Sequence, residues 1–412
     1  MNEQTILYLL LGITIFDFIF NKTLGILNHK SSKQPIPAEL EGIYDTDKYN
    51  ESQKYQGEIF NFSILTSVIS FAVMIILLWS GSFGYIDSFV RSIAPNEYVS
   101  TLYFFGILYF VNDIVTMPFD LYGTFVIEEK YGFNKMNLKT FIFDKIKGWL
   151  LTIIVGGILL SAFIILVAIF ESSFWWYFWI VISVFMLFIN MFYTSLIVPL
   201  FNKLNPLEDG SLKTAITKYS EGVGFPLNNI FVIDGSKRSS KGNAFFSGLG
   251  KKKKVVLYDT LIEKHTEEEL VGVLAHEVGH FKKKHIIWSM ILSVLQVGLM
   301  LWVLSKMLFM SEISWALGGN STSIQLNLLA FGILFSPIST VIGILMNIFS
   351  RKNEYEADAY AVNTFSKKPL ITALKKLTSD SLGNLTPHPW YVFVNYSHPS
   401  LLQRIEAMNE IK

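Results

Sequence analysis

The chain has 412 residues and a net charge of +1; 51% of the residues are hydrophobic and only 16% are charged. A soluble globular domain usually carries about 25% charged residues, so this composition indicates a membrane protein. Because there is no cysteine, disulfides, thiolate metal sites and cysteine nucleophiles are excluded. The small net charge gives no indication of a nucleic-acid partner. The apolar composition indicates that membrane lipid surrounds the chain.

Seven segments are apolar over the roughly 20 residues that a membrane-spanning helix needs. The first lacks the basic flank and cleavage site of a signal peptide, so we expect it to be retained. The third contains Asn112 and Asp113, which either face the interior of the helix bundle or follow a span that ends near Val111. The segments are 5–21, 59–81, 100–117, 149–170, 174–200, 285–309 and 325–349.

Basic residues predict the orientation of these spans. All of the 34 Lys and Arg residues except Arg91 and Lys306 fall on one side of the membrane. Since cytoplasmic loops carry the basic excess, this side is predicted to be cytoplasmic. The runs Lys251–Lys254 and Lys282–Lys284 contribute seven of these charges and are typical of solvated, membrane-flanking segments. The loops on this side are 22–58, 118–148 and 201–284, with the tail from 350.

The loop after the fifth span and the C-terminal tail are long enough to fold. Segments 229–234 and 254–259 are apolar, β-branched and bounded by turn residues, so they are predicted to be strands. A third short strand is predicted between the glycines of 242–248. In the tail we expect one helix over about 350–379, a loop with Pro and His, and a last helix from about 399. We therefore predict a membrane domain, 1–200, and a domain with the chemistry, 201–412.

The strongest chemical signal lies in a predicted helix. Thr266 followed by Glu269 is a capping box that opens this helix. His276 and His280 are four residues apart, so both imidazoles lie on one face and can share a zinc ion. Glu277 lies beside the first ligand and can act as general base, as in the H-E-x-x-H arrangement. The sequence therefore predicts one catalytic Zn²⁺ per chain.

A catalytic zinc site needs a third protein ligand and an open position for water. Glu354 and Asp358 are four residues apart and share a face of a predicted helix, whereas Glu356 points elsewhere. Because Glu has the longer reach, we expect Glu354 to bind zinc and Asp358 to hydrogen-bond a ligand histidine. Small residues at 357, 359 and 361 would let another helix approach closely.

Other polar residues give weaker signals. The developing oxyanion of a peptidase needs a donor, and the tail offers His398 and Arg404. By sequence alone, a His before Pro is more often a turn residue, and Arg404 could simply flank a terminal helix. His285 lies five residues after His280, off the ligand face of a continuous helix, and is interpreted as an interfacial residue. His29, His265 and His388 are given no role.

Several blocks together resemble the type I CAAX prenyl endopeptidases, integral-membrane zinc proteases that cut prenylated C-terminal CAAX sequences. The resemblance runs from about residue 50 to the C-terminus. The blocks are Pro118–Lys135, Pro199–Lys203, Asp234–Ser240, Asn243–Phe246, Leu257–Leu261, His276–His280, Asn353–Ala361 and Tyr396–Arg404.

The resemblance implies a mainly α fold in which seven membrane helices enclose an intramembrane chamber. A small α+β zinc-protease domain would lie on the cytoplasmic side of a bacterial membrane or of the ER membrane. It also implies that His276, His280 and Glu354 bind zinc, that Glu277 is the base and that Asp358 supports a ligand. His398 and Arg404 would stabilise the tetrahedral intermediate, and Asn243 and Ala244 would pair with the extended peptide substrate.

The chain departs from the family pattern in three respects: it has Lys241-Gly242 where eukaryotic relatives often have His-Ser, Asn395 where His is frequent, and a short connection between spans six and seven. These differences concern the substrate, prenylated or not, more than the chemistry. Two alternatives stay open from the sequence: a membrane quality-control metalloprotease, and a transporter or scaffold with a structural zinc ion. A structural site is normally closed by four protein ligands, whereas three are found here.

Overall fold

The computed structural model describes residues 1–225, 227, 229–247 and 254–411, which are mainly helical. The helices of the first half are α1 Glu3–Ser31, α2 Thr46–Trp79, α3 Ser82–Ile93, α4 Glu97–Tyr122, α5 Leu138–Leu151, α6 Gly157–Phe170, α7 Phe174–Leu196 and α8 Val198–Phe201. Those of the second half are α9 Ser211–Gly222, α10 Asp259–Lys264, α11 Glu267–Lys282, α12 His285–Met307, α13 Ser311–Ala316, α14 Ile324–Leu334, α15 Ser336–Thr364, α16 Lys367–Asp380, α17 Pro389–Asn395 and α18 Leu401–Glu410.

Among the described residues, five helical stretches are long and apolar enough to cross a membrane, or six if α14 and α15, bent by 50°, form one span. The sequence predicted seven spans. The difference lies in Leu138–Phe201, a stretch of 64 residues that includes two predicted spans. The rings of Phe163 and Phe178 lie 5.2 Å apart, whereas their separation along a continuous helix would be about 22 Å. The chain therefore folds back at the 3₁₀ turn Glu171–Ser173, and α6 packs against α7.

Asp113 lies within a continuous helix and not beyond the end of one, because α4 extends to Tyr122. Its carboxylate accepts hydrogen bonds from Lys145 Nζ at 2.8 Å and from Trp149 Nε1 at 2.9 Å. Both partners belong to α5. This pairing favours the interpretation in which Asp113 faces the helix bundle, because an ionised side chain at membrane depth needs a partner of opposite charge.

A four-stranded sheet begins directly after α8. Its strands are β1 Leu204–Pro206, β2 Ile230–Ile233, β3 Ala244–Ser247 and β4 Lys254–Tyr258, in the order β1-β2-β4-β3. The central pair β2 and β4 is parallel, and the outer strands are antiparallel to their neighbours. The three strands predicted from the sequence are present and β1 was not predicted, while Gly248 and Lys251 to Lys253 lie outside the described residues.

The core beside the sheet anchors α11, which carries the H-E-x-x-H motif. Leu270, Leu274 and Val278 of α11 are buried against α9, α16 and the sheet. Each such side chain contributes about 1.5–3 kcal/mol relative to an exposed one. The opposite face of α11, with the two motif histidines, is thereby directed at α15.

The tail differs from its prediction in two respects. The single helix expected over 350–379 is two helices, α15 and α16, which are separated after Thr364. The expected loop between 380 and 398 contains the short helix α17, whose first turn holds Pro389 and is capped by His388. Proline is well suited to this position because the first turn needs no N–H donor.

Candidate metal centre

The helix that carries the motif starts as predicted. Thr266 Oγ1 accepts a hydrogen bond from Glu269 N, and Glu269 Oε2 accepts one from Thr266 N at 2.9 Å. One helical turn separates His276 from His280, and their rings lie 4.8 Å apart at an angle of 82°. The two Nε2 atoms are only 3.1 Å apart. The motif therefore presents two imidazole nitrogens to one point.

Glu354 completes the group from α15. Its Oε1 lies 3.2 Å from His280 Nε2, and its Oε2 lies 3.4 Å from His276 Nε2. One donor atom from each of these three residues lies within 4.8 Å of the others. The structure thus brings together the three residues that the sequence proposed as ligands, although α12 and α14 separate them along the chain.

The donor set fits a metal cation. Two nitrogens bound at about 2.1 Å to one tetrahedral zinc ion lie about 3.4 Å apart, close to the 3.1 Å between His276 Nε2 and His280 Nε2. Glu354 Oε2 is buried and accepts no hydrogen bond from the described residues, although His398 Nδ1 lies 2.9 Å away. A buried carboxylate oxygen without a donor is costly. A cation would satisfy it together with both nitrogens.

The electrostatics of the site also favour positive charge. Burial lowers the pKa of His276, but hydrogen bonds to Asp358 and Glu354 outweigh this effect and raise the pKa to about 9. Protons and metal ions compete for such a nitrogen. Burial raises the pKa of the Glu277 carboxyl, which belongs to the residue directly after the first histidine.

Asp358 and Arg404 hold the first histidine in place. Asp358 Oδ1 lies 2.8 Å from His276 Nδ1, so that Nδ1 donates a hydrogen bond to this carboxylate and Nε2 is the nitrogen directed at a metal. Arg404 donates to Asp358 from Nε at 2.8 Å and from Nη2 at 2.6 Å. Its Nη1 also lies 3.6 Å from Glu354 Oε2. Asp358 is where the sequence placed it, while the main contacts of Arg404 are with this carboxylate.

Close packing of two helices sets these distances. Gly279 of α11 lies against Ala357 of α15, and a Cβ added at Gly279 would be 3.0 Å from both Cα and O of Ala357. Ala357 and Ala361 are fully buried. The small residues therefore allow the close helix contact that the sequence predicted, and Ala359 is only half-buried.

Two further residues predicted for the site, His398 and Asn243, line a cavity. His398 follows α17, and its side chain is 63% exposed. Its loop is held by Arg351 of α15, which donates to the carbonyls of Val392 and Tyr396. Asn243 directly precedes β3, which is the edge strand of the described sheet next to β4 and contacts α11. Asn243 and His398 both line one cavity of about 670 Å³.

His285 and Glu356 were missed by the sequence analysis. His285 Nδ1 lies 3.0 Å from His280 Nδ1, and His285 Nε2 lies 3.2 Å from Glu356 Oε2. The expectation that His285 is only interfacial was wrong because it assumed one continuous helix through residue 285. The helix ends at Lys282, and Lys284 turns the chain with φ +60°. The three consecutive lysines were the only sequence signal near this break.

Two family models match the chain. The model described as "CAAX prenyl protease N-terminal, five membrane helices" matches residues 26–203, and that described as "Peptidase family M48" matches residues 206–412. The chain belongs to peptidase family M48. The second match includes both histidines of the motif and Glu354, so the residues that converge in space lie within the metallopeptidase region.

Similarity to known members of the family extends over nearly the whole chain. The chain is 34% identical to the CAAX prenyl protease 1 homolog of Oryza sativa subsp. japonica, with 96% of this chain and 95% of the relative covered. It is 33% identical to CAAX prenyl protease 1 of Saccharomyces cerevisiae, with 97% and 94% covered. The fold is similar to the crystal structure of S. mikatae Ste24p, with a TM-score of 0.92, 32% identity, and 98% and 99% covered.

These similarities confirm the family resemblance and the metallopeptidase class expected from the sequence. They also agree with an integral, multi-pass membrane protein, because the matched N-terminal family region is described by five membrane helices and the structure has at least as many. Neither the transporter alternative nor the quality-control alternative receives support from these full-length relatives.

Proposed function

We propose that the protein is a zinc-dependent endopeptidase that removes the terminal tripeptide from prenylated CAAX proteins or peptides. The observation that carries the proposal is the convergence of His276, His280 and Glu354 beside Glu277. Full-length relatives named as CAAX prenyl proteases support the substrate class. One protein or peptide substrate and the surrounding lipid are the expected partners.

His276, His280 and Glu354 would hold the zinc ion, with Asp358 fixing the tautomer of His276. When bound, zinc supplies a Lewis acid for the scissile carbonyl and lowers the pKa of water in the site. Three protein ligands leave a fourth position open, as a hydrolytic site requires. The close contact between α11 and α15 at Gly279 supports this assignment, because it keeps together the two helices that carry the proposed ligands.

Glu277 would take the proton of the attacking water and pass it to the leaving amine. Its position next to His276 on the helix, partly buried, supports this role. His398 would donate a hydrogen bond to the developing oxyanion, as its Nδ1 lies 2.9 Å from Glu354 Oε2 and its side chain is exposed to an entering peptide. Arg404 would add positive charge behind it while holding Asp358.

Asn243 and Ala244 would bind the substrate backbone by adding it as a strand to the sheet. The edge position of β3 supports this mode, since among the described strands β3 pairs with β4 alone. The Ala244 N–H is engaged by its neighbour's side-chain oxygen, Asn243 Oδ1, at 2.8 Å. We therefore expect the Asn243 side chain to rotate when a peptide docks. The 670 Å³ cavity that Asn243 and His398 both line offers room for the terminal residues.

We further propose seven membrane crossings that surround a chamber, with a membrane domain over 1–200 and a zinc-protease domain over 201–412. The fold-back at Glu171–Ser173 supports two crossings within the stretch 138–201. The ion pair between Asp113 of α4 and Lys145 supports a polar interior at this end of the helix bundle. The basic residues of the loops favour a zinc site facing the cytoplasm, in a bacterial membrane or in the ER membrane.

The test is a cleavage assay on the purified protein. A farnesylated CAAX peptide is compared with its unprenylated form and with an unrelated membrane peptide. Wild-type protein should release the tripeptide from the farnesylated peptide fastest, and Glu277→Gln should not. Glu268→Gln, an exposed glutamate on the same helix, is the matched control and should retain activity. Equal cleavage of all three peptides would refute the substrate class, and an active Glu277→Gln would refute the mechanism.

A further inference from the structure

The turn between α11 and α12 brings a third histidine to the metal site. Lys284 adopts φ +60°, a left-handed conformation that costs a non-glycine residue about 1–2 kcal/mol. As a result, the first residue of α12, His285, lies back over the end of α11, and its ring centroid is 5.1 Å from that of His280. His285 is only 4% exposed. A strained turn thus places a buried imidazole against a proposed ligand.

The proton inventory of this contact has one consistent solution. If His280 Nε2 uses its lone pair on a metal, its Nδ1 must carry the proton. His280 Nδ1 then donates to His285 Nδ1, 3.0 Å away. The proton of His285 is consequently on Nε2, which donates to Glu356 Oε2 at 3.2 Å. Glu356 Oε2 accepts this last hydrogen bond, so the series ends without a surplus or a missing proton.

The two proposed histidine ligands are therefore supported differently. His276 contacts its carboxylate, Asp358, directly at 2.8 Å. His280 reaches a carboxylate only through a second imidazole. Hydrogen bonds of this kind orient a ligand ring and raise its basicity, and removing them typically costs about 10–100-fold in metal affinity. The neutral ring of His285 accepts a hydrogen bond from His280 at one nitrogen and donates one to Glu356 at the other. Glu356 can therefore orient His280 through His285.

We propose that Glu356 and His285 are positioning residues that hold His280 in the tautomer and orientation needed to bind the metal, through the series Glu356–His285–His280. This inference rests on the proposed metal site. It also gives Glu356 a function that its position on α15 does not suggest, since this residue lies on a different face from Glu354. The other neighbour of Glu356 is Lys352 Nζ at 3.9 Å, on a side chain that is 73% exposed.

The experiment measures metal binding directly. Purified protein is stripped of metal, and zinc affinity is determined by competition with a chromophoric chelator. The visible spectrum of the cobalt-loaded protein reports the geometry of the ligands. Glu356→Leu and His285→Phe should each weaken zinc binding about 10–100-fold and change the cobalt spectrum, while one zinc still binds at saturation.

Conservative and control variants separate positioning from folding. Glu356→Gln keeps an acceptor oxygen for His285 Nε2–H, so it should recover most of the affinity lost in Glu356→Leu. Lys352→Ala removes the other neighbour of Glu356 and should bind zinc as wild type does. If His285→Phe fails to fold, the half-exposed Glu356 variants still decide the matter. Wild-type affinity and an unchanged cobalt spectrum in Glu356→Leu would overturn the proposal.

Failure of the proposed series Glu356–His285–His280 can be distinguished from failure of the metal site. Glu354→Gln alters a proposed ligand and should abolish stoichiometric zinc binding. If Glu354→Gln binds zinc like the wild type, the ligand assignment itself is wrong, and with it the proposed function. If Glu354→Gln loses zinc while Glu356→Leu and His285→Phe do not, only the positioning role of Glu356 and His285 is refuted.

Discussion

The contact between Gly279 and Ala357 allows a quantitative prediction. In Gly279→Ala, the new Cβ would lie 3.0 Å from Ala357 Cα and O and 3.1 Å from Tyr360 Cβ. Carbon atoms in favourable contact are about 3.5–4.0 Å apart, so α11 and α15 must separate by about 0.5 Å. The atoms in the way belong mainly to backbone, which cannot rotate aside. The same separation would draw His276 and His280 away from Glu354.

Two terms set the effect of this substitution on stability. Overpacking costs about 1–3 kcal/mol, and replacing glycine by alanine inside a helix contributes about 1 kcal/mol in favour of the folded state. The net loss of stability should therefore be about 2 kcal/mol or less. The loss of function should be larger, because a displacement of about 1 Å can reduce a rate about 100-fold. For about 0.5 Å we expect kcat/KM to fall at least about tenfold.

The assay combines thermal unfolding, zinc affinity and peptide cleavage on detergent-purified protein. Gly343→Ala is the matched control, because Gly343 lies in α15 and an added Cβ would have nothing within 4 Å. This control should match the wild type in zinc affinity and cleavage, and it should unfold at the same or a slightly higher temperature, because alanine favours the helix. Wild-type zinc affinity and cleavage by Gly279→Ala would refute the idea that the close helix approach sets the geometry of the site.

Four further outcomes are expected. Glu277→Gln should retain zinc and the unfolding temperature but lose about 100-fold or more in kcat, which metal analysis and cleavage together will check. Removal of zinc by a chelator should abolish cleavage, and added zinc should restore it. Arg404→Ala leaves Asp358 buried without its cationic partner, so denaturant unfolding should show a loss of about 3–5 kcal/mol; a loss below about 1 kcal/mol would contradict this. Lys284→Gly relieves the positive φ and should not destabilise the protein, whereas Lys284→Val should lower its unfolding temperature.

Local rules were sufficient for the centre of the site. The spacing of His276 and His280 places them on one helix face in any α-helix, and the capping box at Thr266 fixes where that helix starts. The four-residue spacing of Glu354 and Asp358 likewise predicted one residue facing the metal and one facing a ligand. These predictions need no knowledge of the rest of the chain, because helix periodicity depends on hydrogen bonds between near neighbours.

Apolar length predicted where membrane helices lie but not how they break. The segments 149–170 and 174–200 lie in one apolar stretch. The chain reverses its direction at Glu171, where φ is +46°. Glutamate does not favour this conformation, so the residue type gives no signal of the reversal. The order of the strands was also beyond local patterns. β1 pairs with β2 across α9, and β2 pairs with β4 across β3, so both pairings join segments that are distant along the chain.

The sequence by itself determined the motif, and it predicted Glu277 as the base and Glu354 as the third ligand, because these predictions follow from helical spacing and the chemistry of the side chains. Only the tertiary structure decided which groups surround them. Arg404 is joined to Asp358, and His285 and Glu356 reach His280, because helices distant in sequence pack together and Lys284 turns the chain. Such contacts depend on the packing of whole helices, which no local spacing rule contains.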